Sequence, residues 1–455
     1  MKVVIVGGVA GGATAAARIR RLNEEAEVVV FERSGYISYA NCGLPYYIGD
    51  VITDSEELTL QTPESFFSRF HVDMKVRHEV LSIHPERKTV SVRNLETGEE
   101  FEEHYDKLLL SPGARPVQPE IPGVGLENLF TLRTVEDTMR IKAYIETHQP
   151  KSVVLAGGGF IGLELAENLR ESGMDVTIVQ RAKQLMNPFD PDMASFIHSE
   201  MRRHGVTLAL GHTVEGFVEK EGGIDVLLKG EDPIHADMGI LAIGVAPDAK
   251  LAGEAGIKLG IKGSIVVNER METSIPDIYA VGDAVQIKNA VSGEEDLISL
   301  AGPANKQGRI AADNICGGNS SYSGAQGSSV IKVFDMTAAT TGLNEKRAKK
   351  LGIDTDKVIL SPMSHAGYYP GGKVMTMKVL FEKETNRLLG AQVVGYEGVD
   401  KRIDVLATAI HAGMKATDLK ELDLAYAPPY SSAKDPVNMA GYMIENIENR
   451  YLKQW

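Results

Sequence analysis

Apolar positions come in short runs that stop at glycine. Lys2 to Val6 reads as a short apolar strand, followed by glycines at 7, 8, 11 and 12 and an Ala-rich stretch to Leu22. Val28 to Phe31 predicts the next strand, closed by Glu32. Strand, glycine turn, helix and strand together open a Rossmann-type unit. The pattern returns in mid-chain: Ser152 to Ala156 as a strand, Gly157 to Gly159 as the turn, Phe160 to Ser172 as a helix and Val176 to Val179 as a strand. Two such units point to a duplicated dinucleotide-binding domain rather than a solenoid. From about Ser323 the pattern changes. Alternating strands, Val374 to Phe381 and Leu389 to Val394, precede a helical run from Val399 to Ala412. The predicted fold class is α/β, with two Rossmann-like domains and a C-terminal α+β domain that has no glycine fingerprint.

Composition narrows this picture. The 455 residues are 43% hydrophobic and 24% charged, with a formal net charge of −14. Without clustered Lys and Arg, nucleic-acid partners are not expected. No apolar run is long enough to span a bilayer. The opening MKVVIVGGVAGGATAAA superficially resembles a signal peptide, but a strand, glycine turn and helix explain it better. Only two cysteines occur, Cys42 and Cys316. A disulfide framework is excluded, no Cys/His segment has zinc spacing, no metal is expected, and a reducing cytoplasm fits best.

The second fingerprint, Gly157-x-Gly159-x-x-Gly162, is complete and sits between a strand and a helix. Its glycines serve the tight turn, the backbone's approach to a pyrophosphate, and close helix–strand packing. The first keeps Gly7 and Gly12 but has Val9 in the middle; Glu32 follows where an acid would bind ribose hydroxyls. At the second site that position is Gln180, followed by Arg181 and Lys183. Losing the carboxylate removes repulsion of a 2′-phosphate, so tolerance of NADPH beside NADH is expected.

At this point the chain resembles the pyridine nucleotide-disulfide oxidoreductases, and within them the coenzyme A-disulfide reductases and NADH-dependent persulfide reductases. The resemblance is carried along essentially the whole chain by GGVAGGATAAARIRRL, SYANCGLPYYIGD, YDKLLLSPGARP, GGGFIGLE, TSIPDIYAVGDA, HAGYYPGG, KRIDVLATA and YAPPYSSAKDPVNMAGY. It implies FAD at Gly7, Gly12, Glu32 and Asp283, and NAD(P)H near Gly157, Gly159, Gly162 and Glu164. The implied organisation is a discontinuous FAD domain (1–112 and 248–322), an NAD(P) domain (113–247), a C-terminal domain (323–446) that builds a homodimer, and a tail or linker (447–455). That C-terminal end resembles the linker that leads into a rhodanese domain in some relatives.

Cys42 is the redox candidate, as Ser38-Tyr39-Ala40-Asn41-Cys42 fits the family pattern. Gly43 to Ile48 can start a helix, whose N-terminus would lower the thiol pKa. A thiolate attacks a disulfide or persulfide. Cys316 reads as the end of a core helix. Ala10 occupies the position where family peroxidases and oxidases typically carry a histidine, which favours disulfide or persulfide substrates. By resemblance, Tyr368 and Tyr426 of the partner subunit line the site and donate protons. Thr14, Arg18, Arg21, Ser38, Asn41 and Lys434 match substrate-contacting positions for coenzyme A. A family lysine is Phe70 here, so one phosphate contact is missing or supplied by His71. The acceptor stays open between coenzyme A disulfide, persulfide or polysulfide, and oxygen. An electron-transfer flavoprotein serving a protein partner is the reading from another class.

Overall fold

The computed structural model describes residues 1–452. The first half of the pattern becomes a five-stranded parallel sheet in the order Ile278–Ala280, Lys107–Leu110, Lys2–Val6, Glu27–Glu32, Asp73–Val76. Its central strands are Val/Ile/Leu-rich because both faces are covered, one by helices and the other by the antiparallel strands His78–His84 and Thr89–Asn94, and Val3, Val4, Ile5, Val30, Leu108 and Leu109 are fully buried. The helix Ala10–Leu22 packs against Ala301–Ile315. A Cβ on Gly308 would stand 2.4 Å from the Gly11 carbonyl oxygen, so glycine permits this contact. The edge strand Ile278–Ala280 comes from far downstream, so this unit is assembled from two stretches of chain.

The second sheet repeats the first: Leu129–Thr131, Met238–Leu241, Ser152–Ala156, Asp175–Gln180, Thr207–Leu210, all parallel. Each half also carries a three-stranded antiparallel sheet, His78–His84/Thr89–Asn94/Glu100–His104 in one and Val214–Lys220/Gly223–Leu228/Ile234–Ala236 in the other. The duplication therefore extends beyond the glycine motifs. Strand and helix expectations agree to within a few residues, with helices at Phe160–Glu171 and Val399–His411. The segment leading to Gly282 forms only the short strand Ile278–Ala280, and Gly282–Ala284 is a 3₁₀ turn.

The C-terminal unit is a five-stranded antiparallel sheet backed by Val399–His411 and Pro436–Leu452. The helix runs through residues 447–452 of the expected tail; residues 453–455 lie outside the described residues. Two polar contacts pin this unit to the second half. Buried Lys378 reaches Asp190 at 3.0 Å, Asp192 at 2.9 Å and also Glu345, while Gln392 donates to Asp190 at 2.7 Å. Buried Glu167, on the second fingerprint helix, accepts from the Phe334 backbone at 2.8 Å and pairs with Lys332. Removing one partner of such buried sets typically costs about 3–5 kcal/mol.

Candidate active site

Both fingerprint turns have the same build. Gly7 (φ +97°) and Gly157 (φ +119°) are in conformations that disfavour a side chain, and a Cβ would meet the Ser111 or Ala242 carbonyl oxygen at 2.1 or 2.2 Å. A Cβ on Gly12 or Gly162 would stand 1.9 or 2.1 Å from the carbonyl oxygen of Gly7 or Gly157. Neither helix has a side-chain cap or a first-turn acid, unlike Pro63–Phe70 and Val135–His148, which carry capping boxes. Their first N–H groups and positive dipole ends are thus free for a pyrophosphate. Gly159 has nothing within 4 Å of its missing Cβ, leaving room for close approach.

The acidic position repeats too. Glu32, largely buried, accepts from Gly8 N–H at 2.9 Å and Ser34 N–H at 2.8 Å. Gln180 takes the corresponding place, accepting from Gly158 N–H at 3.3 Å, with Arg181 and Lys183 exposed beside it.

A cavity of about 1010 Å³ starts at the first turn and is lined by Gly7, Thr14, Arg21, Glu32, Ser38, Asn41, Cys42 and Asp283. Asp283 lies 3.2 Å from Arg133, and burial pushes its carboxyl up against the opposing pull of that guanidinium. Ser38 adopts a left-handed φ of +44°, held by its N–H to the Gly8 carbonyl at 2.9 Å. That bond fixes the strand leading to Cys42 against the glycine turn. At the far end Arg21 and Arg69 flank the Phe70 ring, 5.4 and 5.2 Å from its centroid. Cys316 caps Ala301–Ile315 and does not line the cavity.

The pyridine nucleotide-disulphide oxidoreductase pattern matches residues 1–308, and that family's dimerisation domain matches residues 328–436. The chain belongs to this family. It is 38% identical to a coenzyme A disulfide reductase of Staphylococcus aureus over 444 residues, 97% of this chain and 99% of the relative. Among solved structures, a reduced CoADR-RHD from Bacillus anthracis superposes with a TM-score of 0.97 and 52% identity, covering 99% of this chain and 81% of that one. An NAD-dependent persulfide reductase from A. fulgidus gives 0.96 and 37%, covering 99% and 84%. A water-forming NADH oxidase from Lactobacillus brevis gives 0.95 and 29%, covering 99% and 100%.

Members of this oxidoreductase family use FAD and NAD(P)H, and the two uncapped glycine turns fit two dinucleotides. Within the family frame, several expectations change. Cys42 sits in a 3₁₀ turn, Asn41–Gly43, that leads into a helix of only five residues, Leu44–Ile48. Although Cys42 is open to the cavity, its thiol is pushed up rather than down: desolvation by the cavity walls and then the Glu164 carboxylate outweigh Arg133, and so short a helix has little dipole to oppose them. Glu164 is itself raised to about 7 by burial and by Glu167. Sequence reading placed Glu164 near the nicotinamide and missed its influence on Cys42; the two are far apart in sequence and no motif joins them.

The arginines divide. Arg18 pairs with Asp313 at 2.7 Å, whereas Arg21 lines the cavity. Arg20 instead ties the helix end down, donating to the Phe70 carbonyl at 2.9 Å and that of His71 at 3.0 Å. His71 packs on Phe67, and Arg69 rather than His71 lines the wall beside Phe70. Tyr368, Tyr426 and Lys434 belong to the C-terminal unit, are exposed, and do not line this chain's cavity. The two phenols lie 2.7 Å apart, and that hydrogen bond raises the Tyr426 pKa.

Proposed function

We propose that this chain reduces coenzyme A disulfide to two thiols, or the persulfide of coenzyme A to one thiol and hydrogen sulfide, at the expense of NAD(P)H. The observation that supports it most is the single cavity that joins the Glu32/Asp283 cradle, the lone Cys42, and the cationic Arg21/Arg69 end. FAD would lie along Gly7, Gly12, Glu32 and Asp283 and supply the two-electron relay between reduced nicotinamide and sulfur. NAD(P)H would occupy Gly157, Gly159, Gly162 and Gln180, with Glu164 close by.

The Cys42 thiolate attacks one sulfur of the disulfide; a mixed disulfide forms and one thiolate leaves. That thiolate takes a proton from the paired phenols, Tyr426 or Tyr368, of the other subunit. The electron pair from NAD(P)H then cleaves the Cys42 mixed disulfide and releases the second thiol, giving two thiols per hydride and proton consumed. Thr14, Arg21, Ser38 and Asn41 lie along the cavity and would hold the substrate, with its phosphates at Arg21. Arg18 contributes through its pair with Asp313, and Lys434 from the partner. The working unit is then a homodimer, and two unpaired cysteines suit a reducing cytoplasm.

Cys42→Ser is expected to abolish turnover of coenzyme A disulfide and persulfide while keeping FAD and dye reduction. Full retained activity would overturn the proposal. Steady-state kinetics with coenzyme A disulfide, its persulfide, polysulfide and oxygen separate this reading from an oxidase, against whose peroxidase-type version Ala10 stands, and from an electron-transfer flavoprotein, which needs no Cys42.

A further inference from the structure

Among the described residues, two clusters of ligating side chains lie outside the redox cavity; Lys378 fills the one formed by Asp190, Asp192 and Glu345, and the other is formed by Glu200, His204 and Asp335. Glu200 is in the last turn of the helix Pro191–Arg203 and His204 caps it, four residues on and so on the same face. Asp335 comes from the turn between Ser329–Val333 and Met336–Gly342 in the dimerisation domain. Glu200 is 3% exposed, and both its Oε1 and His204 Nε2 are buried without a hydrogen-bond partner. Those two atoms are 3.3 Å apart, and His204 Nε2 is 3.7 Å from Asp335 Oδ2. All three ligand atoms lie within 4.8 Å of one another.

The surroundings hold these atoms in place. The His204 ring lies flat on Phe334, with centroids 4.1 Å apart and an interplanar angle of 4°. The Tyr396 hydroxyl donates to Glu200 Oε2 at 3.1 Å, leaving Oε1 to face the imidazole. In a tetrahedral zinc site with bonds of about 2.0–2.1 Å, neighbouring ligand atoms are about 3.4 Å apart. The two spacings from His204 Nε2, 3.3 and 3.7 Å, are close to that edge. One nitrogen and two carboxylate oxygens suit zinc better than calcium or magnesium, which favour all-oxygen shells.

We propose that Glu200, His204 and Asp335 form a binding site for a divalent transition ion of the zinc class, bridging the second dinucleotide half and the dimerisation domain. Arg203 Nη2 lies 3.4 Å from Glu200 Oε1 and 3.5 Å from Asp335 Oδ2, and neutralises both carboxylates in this structure. Its side chain is 56% exposed and already contacts the Tyr396 hydroxyl at 3.3 Å, so it can swing aside and competes with the ion. The sequence could not reveal the site: its residues are not at Cys/His spacing, and Asp335 is remote in the chain.

The site is independent of the redox chemistry, so its test is kept apart from Cys42, which as a thiol also binds zinc. Cys42→Ser holoenzyme dialysed against micromolar Zn²⁺ is expected to retain about one ion per chain and to show a raised Tm. Adding His204→Phe, which keeps the stacked ring, or Asp335→Asn, at an exposed position, should weaken binding at least about tenfold and remove the Tm increase. Arg203→Gln should tighten binding. Absence of retained zinc, or equal retention after His204→Phe and Asp335→Asn in folded, FAD-loaded protein, would overturn the proposal.

Discussion

At Cys42 the environment opposes the ionisation that its chemistry needs. Desolvation by the cavity walls and then Glu164 raise the thiol pKa, and burial with Glu167 nearby raises the Glu164 carboxyl to about 7. A charged carboxylate disfavours a neighbouring thiolate, so its effect is present above pH 7 and fades below it as Glu164 takes up a proton. Glu164→Gln should therefore shift the pH profile of Cys42 alkylation to lower pH, with the variant's advantage growing as pH rises through 7. Iodoacetamide inactivation rates measure this; an unchanged or upward-shifted profile would show that Glu164 does not act on the thiol. The sequence made Cys42 legible because a local motif surrounds it. It pointed to a lowered thiol pKa, whereas desolvation by the folded surroundings, followed by a carboxylate far away in the chain, raises it.

At the scale of elements, the glycine turns were the most legible feature. Steric rules act within a few residues there, and Gly7, Gly12, Gly157 and Gly162 all stand where a Cβ would strike a carbonyl oxygen. The end of each second strand extends the parallel, since Glu32 and Gln180 both accept from the glycine loop. Only the charge differs. Gln180→Glu keeps that hydrogen bond and restores a carboxylate where a 2′-phosphate would lie. It should lower kcat/KM for NADPH by at least about tenfold, some 1.4 kcal/mol, and leave NADH turnover nearly unchanged. Wild-type preference for NADH of about 10³ or more would remove the premise of NADPH tolerance. Less legible was the split of Arg18 from Arg21: helical spacing puts both on one face, but Asp313, on a helix nearly 300 residues later, claims only the first.

At the scale of the molecule, the proposal that the exposed Tyr368–Tyr426 pair serves the other subunit would make the site a property of two chains. A dimer containing one Cys42→Ser subunit and one Tyr368→Phe/Tyr426→Phe subunit would keep one intact site if the phenols act across the interface. Purified through two different tags, it should show about half the wild-type activity, well above either homodimer. Donors acting within their own chain predict no such recovery. In the C-terminal unit the strands Met375–Glu382 and Leu388–Gly395 and the helix Val399–His411 were readable from alternation, whereas the strands Ser329–Val333, Met336–Gly342 and Thr355–Leu360 were not. Nor was the unit's buried Lys378, because a lysine in an apolar strand gives no sign of the three carboxylates it will meet.

The discontinuous first unit also sets an order in time. Its sheet lacks the edge strand Ile278–Ala280, and its cradle lacks Asp283, until those residues have left the ribosome. At about 5–20 residues per second, that places completion tens of seconds after the first glycine turn emerges. The second unit needs nothing downstream of Leu241 for its own sheet. The half encoded later is thus ready earlier, and the nascent chain carries an unfinished flavin half past a finished nicotinamide half.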